Sequence, residues 1–172
     1  MKLLVPNARG VLHCLLGTAL LLAAATPMWA TLGDNAASVL NDQERWNGKL
    51  SSVDKGTYVL HEITMPTGTV REFVSPAGVV FGVAWEGQFP PDFRQLLGPY
   101  YQQVQQAIAN QKAARQASAE QSGAPAIRPR RAPVSVETTG LVFSQGGHQR
   151  SFHGQAYIPQ LLPQNVKASD IR

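Results

Sequence analysis

Three regimes of hydrophobic patterning follow one another along the chain. Residues 11–25 are apolar almost without interruption, broken only by small or weakly polar residues and His13. Residues 31–56 are polar, with Val39, Leu40, Trp46 and Leu50 scattered among them in no sustained period. From Thr57 onward short alternating runs are punctuated by proline and glycine, as strands joined by tight turns require.

Two turn signatures stand ten residues apart, Met65-Pro66-Thr67-Gly68 and Ser75-Pro76-Ala77-Gly78. Proline in the second position pre-sets the backbone angle of a type I turn, and the following glycine closes a hairpin. The spacing predicts a three-strand meander over 57–64, 69–75 and 79–86. In its third strand, strict alternation puts Val79, Phe81, Val83 and Trp85 on one face and Val80, Gly82 and Ala84 on the other. The small face leaves room for close packing.

Pro90-Pro91-Asp92 then opens a helix. Phe93, Leu96, Leu97, Tyr100, Val104 and Ile108 fall on one stripe at helical spacing. Gly98-Pro99 either kinks that helix or ends it and starts another. Past Ile108 the segment favours helix but loses its apolar face, so it projects into water. Residues 117–133 are rich in Ala, Ser, Gly and Pro and carry Arg128, Arg130 and Arg131, the composition of a flexible linker. Strand character returns over 134–143. Gly146-Gly147 reads as a two-residue hairpin turn, and 148–158 runs back, with Leu141 opposite Phe152 and Phe143 opposite Arg150.

The expected fold is α+β: a sheet of about five antiparallel strands, the meander plus the C-terminal hairpin, packed by one main helix. Residues 31–56 are expected as a loosely structured lead-in with one short helix around 36–46. Residues 57–163 form one domain, and 164–172 a polar tail.

The start of the chain changes this picture. Lys2 and Arg9 precede the apolar run, which ends at Pro27-Met28-Trp29-Ala30, the layout of a secretory signal peptide over residues 1–30. An apolar run of this size is short against the roughly 20 residues needed to span a bilayer. Cys14, the only cysteine, lies inside that segment and is preceded by Leu12-His13, which argues against lipidation. Cleavage leaves 142 residues without a thiol, excluding disulfides and cysteine chemistry. Only two of fifteen basic residues leave with the leader, against eleven acidic ones, so no nucleic-acid signature survives. No second spanning run follows, so no transmembrane anchor remains. The expected location is periplasmic or extracellular.

Candidate chemistry is sparse. His148 and His153, five apart on one predicted strand, point to opposite faces and cannot share a metal. His148 and Arg150 share a face beside the glycine turn, where they suit a carboxylate, phosphate or sugar. Arg128, Arg130 and Arg131 suit anionic headgroups or acidic polysaccharide. Ser52-Val53-Asp54-Lys55 matches the Ser-x-x-Lys of penicillin-binding enzymes in form, without the companion motifs that chemistry needs. No catalytic, cofactor-binding or metal residue is assigned.

Residues 75–85, the helix start Pro91-Asp92-Phe93-Arg94-Gln95-Leu96-Leu97-Gly98, and Gly146-Gly147-His148-Gln149-Arg150 through Ala156-Tyr157-Ile158-Pro159 together resemble one family. Trp29-Ala30 before Thr31-Leu32-Gly33 is similar as well. The family is the exported proteobacterial proteins grouped as domain of unknown function 2844. The resemblance implies a small secreted or periplasmic protein with no assigned activity. The reading that follows is a non-enzymatic accessory or binding protein of the cell envelope, with another exported protein or an anionic envelope polymer as partner and no cofactor. The alternatives are a small hydrolase using a strand histidine, or a binder of small ligands between sheet and helix.

Overall fold

The computed structural model describes residues 32–123 and 133–172. The segment read as a signal peptide, and Arg128, Arg130 and Arg131, lie outside the described residues. Among the described residues no helix is long and apolar enough to cross a membrane.

The fold is α+β, built on an antiparallel sheet of seven strands where the sequence pattern predicts about five. In chain order the strands are β1 (Lys49–Asp54), β2 (Val59–Met65), β3 (Gly68–Val74), β4 (Val80–Gly87), β5 (Val134–Thr138), β6 (Leu141–His148) and β7 (Ser151–Tyr157). Their order across the sheet is β1-β2-β3-β4-β7-β6-β5, so the N-terminal meander and the C-terminal strands join through β4 and β7. Helix α1 (Ser38–Trp46) precedes the sheet. Helices α2 (Phe93–Leu97) and α3 (Tyr101–Ser122) follow β4 and are separated by a 3-10 turn over Gly98–Tyr100. The helix therefore breaks at Gly98 (φ 48°) and restarts behind Pro99, rather than kinking.

Both extra strands have a physical reason. β1 lies in the supposed lead-in and is exposed along almost its whole length, so neither face demands an alternating sequence. The predicted strand over 134–143 splits into β5 and β6 at Thr139-Gly140, where Gly140 takes φ 102°. The last hairpin also turns elsewhere. Gly146 and Gly147 stay inside β6, and the chain reverses at Gln149-Arg150. Phe143 thus stands opposite Ala156, not Arg150, and Phe152 stands opposite Gly147, not Leu141.

A bulge resets the strand carrying the aromatic residues. Val74 pairs with Val80, while Phe73 pairs with Gly82, leaving Phe81 as the additional residue. Val80, Val83 and Trp85 consequently pack on the helix-covered face, and Phe81 joins Phe73 and Ala84 on the other. The helices therefore cover the Trp85 side of the sheet, where the rings of Trp85, Phe93 and Phe143 stand 5.1–5.7 Å apart in a closed triangle. The small residues Gly82 and Ala84 do accommodate a close neighbour, but it is the C-terminal segment. Ile171, in the supposed polar tail, is 0% exposed and packs with Phe73, Phe81 and Ala84.

α3 extends to Ser122 and so occupies the first part of the predicted linker. Its alanines are strong helix formers, and Ser118 and Ser122 turn their hydroxyls back onto the carbonyls of Ala114 and Ser118 at 2.9 Å. Only Val104 of this helix is fully buried. At the β5 edge, the Gln111 side-chain amide donates to the Ser135 carbonyl at 3.1 Å. The opposite edge, β1, has no such cover among the described residues.

Candidate binding cleft

Four segments meet at one end of the sheet: the β2–β3 turn, the end of β4, the loop from β4 to α2, and the β6–β7 turn. They border two adjoining open hollows of about 560 and 280 Å³ that share Met65, Thr67, Gly68, Thr69 and Glu86. The floor is backbone against backbone. The Gln88 N–H donates to the Thr67 carbonyl at 2.7 Å, and a Cβ on Gly87 would sit 2.8 Å from the Gly68 Cα. Glycine at both positions is thus what lets the turn close on β4.

The larger hollow is polar. Arg150, Ser151 and His153 line it from β7 and its turn, and Glu86 and Gln88 from the other side. Arg150 has φ 64°, a left-handed conformation that costs a non-glycine residue roughly 1–2 kcal/mol. Glu86 stands opposite His153 in the β4–β7 register. It accepts from Arg71 Nη2 at 2.7 Å, while Arg71 Nε donates to Glu62 at 2.8 Å. Partial burial works against the Arg71 charge, but the two glutamates outweigh it and hold its pKa above the ordinary value. The hollow thus sets one carboxylate, Glu86, already paired with Arg71 through one oxygen, among the donors of Arg150, Ser151, His153 and Gln88. The smaller hollow is apolar, walled by Trp46, Met65, Val70, Trp85 and Pro90, with Phe89 at its edge 62% exposed.

Beneath the helices lies a polar cluster that sequence patterning does not reveal. Asp42 of α1, Glu72 of β3 and Gln95 of α2 are each 1% exposed. The Gln95 side-chain amide donates to Asp42 Oδ1. Neither Glu72 oxygen nor Asp42 Oδ2 has a hydrogen-bond partner among the described residues, and the Asp42 charge acts on Glu72. Burial pushes Asp42 up to about 6, against the opposing pull of Gln95, Glu72 and the Arg45 charge. Burial, then the Asp42 charge, raises Glu72 well above the usual carboxylate range.

In the row across β1, β2 and β3, Ser52 faces His61 and His61 faces Glu72. Ser52 Oγ lies 2.7 Å from His61 Nδ1, and burial lowers the His61 pKa. This order of residues is that of a nucleophile, base and acid, but the geometry is incomplete. Glu72 makes no hydrogen bond to His61, and neither hollow is lined by Ser52 or His61.

Of the residues singled out from the sequence, Arg150 lines the larger hollow and His148 does not. His148 is exposed at the end of β6, its Nδ1 donating to the Gln149 carbonyl at 3.1 Å. The shared face expected for that pair fails because Arg150 occupies the turn itself. The parity argument for His148 and His153 fails for the same reason. The turn lies between them, His153 pairs with Gly146, and both fall on the Glu86 face by register. Among the described residues no group of three or more His, Cys, Asp or Glu side chains is placed to hold a metal. His153, one of the strand histidines the sequence singles out, lines the larger hollow, whereas Glu86 and Phe89 carry no sequence signal beyond Phe89 standing outside the apolar stripe of the following helix.

A family model described as Protein of unknown function (DUF2844) matches residues 28–171. No curated protein and no solved structure matches the chain.

Proposed function

The chain belongs to the DUF2844 family, and from its own geometry we propose a non-enzymatic accessory protein of the cell envelope that is exported and binds an anionic partner through the end-of-sheet cleft. The observation that carries this reading is Arg150, held in a left-handed conformation at the mouth of the larger hollow. Backbone strain retained at a cleft, where glycine would fit without cost, is a mark of function. The guanidinium and the neighbouring His153 suit a carboxylate or phosphate, presented by another exported protein or by an anionic envelope polymer. Exposed Phe89 adds an apolar contact in the adjoining smaller hollow. Export rests on the layout of residues 1–30, which lie almost wholly outside the family match.

Beneath α2 the sheet–helix interface is filled by the Trp85, Phe93 and Phe143 rings, so a ligand between the layers would have only the smaller apolar hollow beside Trp46 of α1. A hydrolase would need the Ser52–His61 pair to be completed by a carboxylate on the second ring nitrogen, and Glu72 does not supply it.

Titration with lipopolysaccharide and with anionic liposomes tests the proposal. Arg150→Ser should weaken binding several-fold, and replacing Arg128, Arg130 and Arg131 together by Ser should have the smaller effect. Equal affinity of wild type and Arg150→Ser would remove the cleft from the account. An alkaline phosphatase fusion behind residue 40 tests export: activity is expected, and an inactive fusion retained in the cytoplasm would overturn it.

A further inference from the structure

Helix α1 is docked in an unusual way. Its fully buried residues are Ser38, Val39 and Asp42, so its inward stripe holds one apolar side chain and an acid at its centre. Ser38 satisfies its hydroxyl locally, on the Asn35 carbonyl at 2.6 Å. Asp42 accepts from Gln95 of α2 and interacts with the buried Glu72 of the sheet, and among the described residues their four carboxyl oxygens receive one donated amide bond. Two ionised carboxylates in that position would be mutually repelling and unsolvated, which no folded arrangement tolerates at low cost.

The surroundings offer little counter-charge. Glu72 is flanked in register by His61 on β2 and Val83 on β4. Burial tilts His61 towards its neutral form. α2 contributes the uncharged Gln95, and on α1 itself Arg45 acts on Asp42 from an exposed position. Trp46, one turn beyond Asp42, is a wall of the 280 Å³ hollow.

We infer that Asp42 and Glu72 form a proton-held latch: a shared proton keeps α1 on the sheet, and losing it releases α1 together with the Trp46 wall of the apolar hollow. The latch does not depend on what the cleft binds. Its strength follows from linkage, since each proton held only in the docked state weakens docking tenfold per pH unit once the released carboxyls are ionised.

Hydrogen exchange on the purified full chain tests this, with protection factors corrected for the intrinsic pH dependence of exchange. In wild type, protection over α1 (Ser38–Trp46) should fall at least tenfold between pH 5 and pH 8 while β3 and β4 hold theirs. In Glu72→Gln the new amide donates permanently to Asp42, and the protection should stay level over the same range. Asp42→Asn, which reverses the donor, should behave alike and serves if the first variant does not fold. A level wild-type profile, an undiminished fall in the folded variant, or parallel loss of protection in β3 and β4 would each overturn the latch.

Discussion

Gly154 lies directly against the Trp85 indole, so close that a Cβ at 154 would sit 2.7 Å from Trp85 Cε2. The two residues face each other across the β4–β7 pairing that joins the halves of the sheet. Trp85 also anchors Phe93 and Phe143, so displacing the indole disturbs the packing between sheet and α2. Gly154→Ala should therefore destabilise the fold by about 1–3 kcal/mol, the usual cost of overpacking. Urea unfolding followed by tryptophan fluorescence measures it, and a loss below about 0.5 kcal/mol would contradict the contact.

The C-terminal segment is a structural element. Ile171→Ala removes a fully buried side chain from the cluster of Phe73, Phe81 and Ala84. The expected cost is about 2–5 kcal/mol, because little can move in to fill the space left behind. Chemical denaturation gives the number, and near-ultraviolet circular dichroism should report altered packing of Tyr58, Phe73 and Phe81, whose rings stand 5.6–6.2 Å apart.

Arg150 separates stability from binding. Arg150→Gly relieves the left-handed strain and should raise stability by about 1 kcal/mol. The same change removes the cleft's guanidinium and should weaken binding of lipopolysaccharide. A glycine variant that is both no more stable and equally well bound would mean that neither strain nor charge at 150 matters.

The buried acids give stability an uncommon pH dependence. Burial raises Asp42 to about 6 from an ordinary 3.8, and burial together with the Asp42 charge raises Glu72 well above its ordinary range. The folded chain therefore holds protons that the unfolded chain has released. Their contribution is fully present below about pH 4 and is lost as pH rises through 6 and beyond. Relative to Glu72→Gln, the wild-type urea midpoint should fall between pH 4 and pH 7. A difference that stays constant would show that the two carboxyls do not titrate with folding.

Much of this architecture is legible in residue order. The Pro-Gly turns at 65–68 and 75–78 place β2, β3 and β4 correctly, because each satisfies a specific local dihedral demand. Alternation fails where a single residue shifts its phase, and the bulge at Phe81 sends that ring away from Trp85. It fails again at Gly146-Gly147, where a plausible hairpin turn lies within a ladder and the chain reverses three residues later at a strained arginine. β1 is unreadable because an exposed strand has no hydrophobic face to display. Of the cleft, Arg150 and the strand histidine His153 are discernible in the sequence. Glu86, His153 and Phe89 come together through long-range pairing and the loop before α2, which no local pattern encodes.

The unequal edges of the sheet bear on how copies of this chain can associate. α3 packs along β5, with Gln111 occupying the Ser135 carbonyl, whereas β1 offers its outer backbone to solvent. A ladder that grows into a fibre needs a free side at both ends, so that each added molecule presents a fresh template. Here one side is stoppered. Among the described residues β1 is the more open rim, so two molecules meeting edge to edge through it would turn outward the β5 sides along which α3 lies, and further growth there would have to displace that helix.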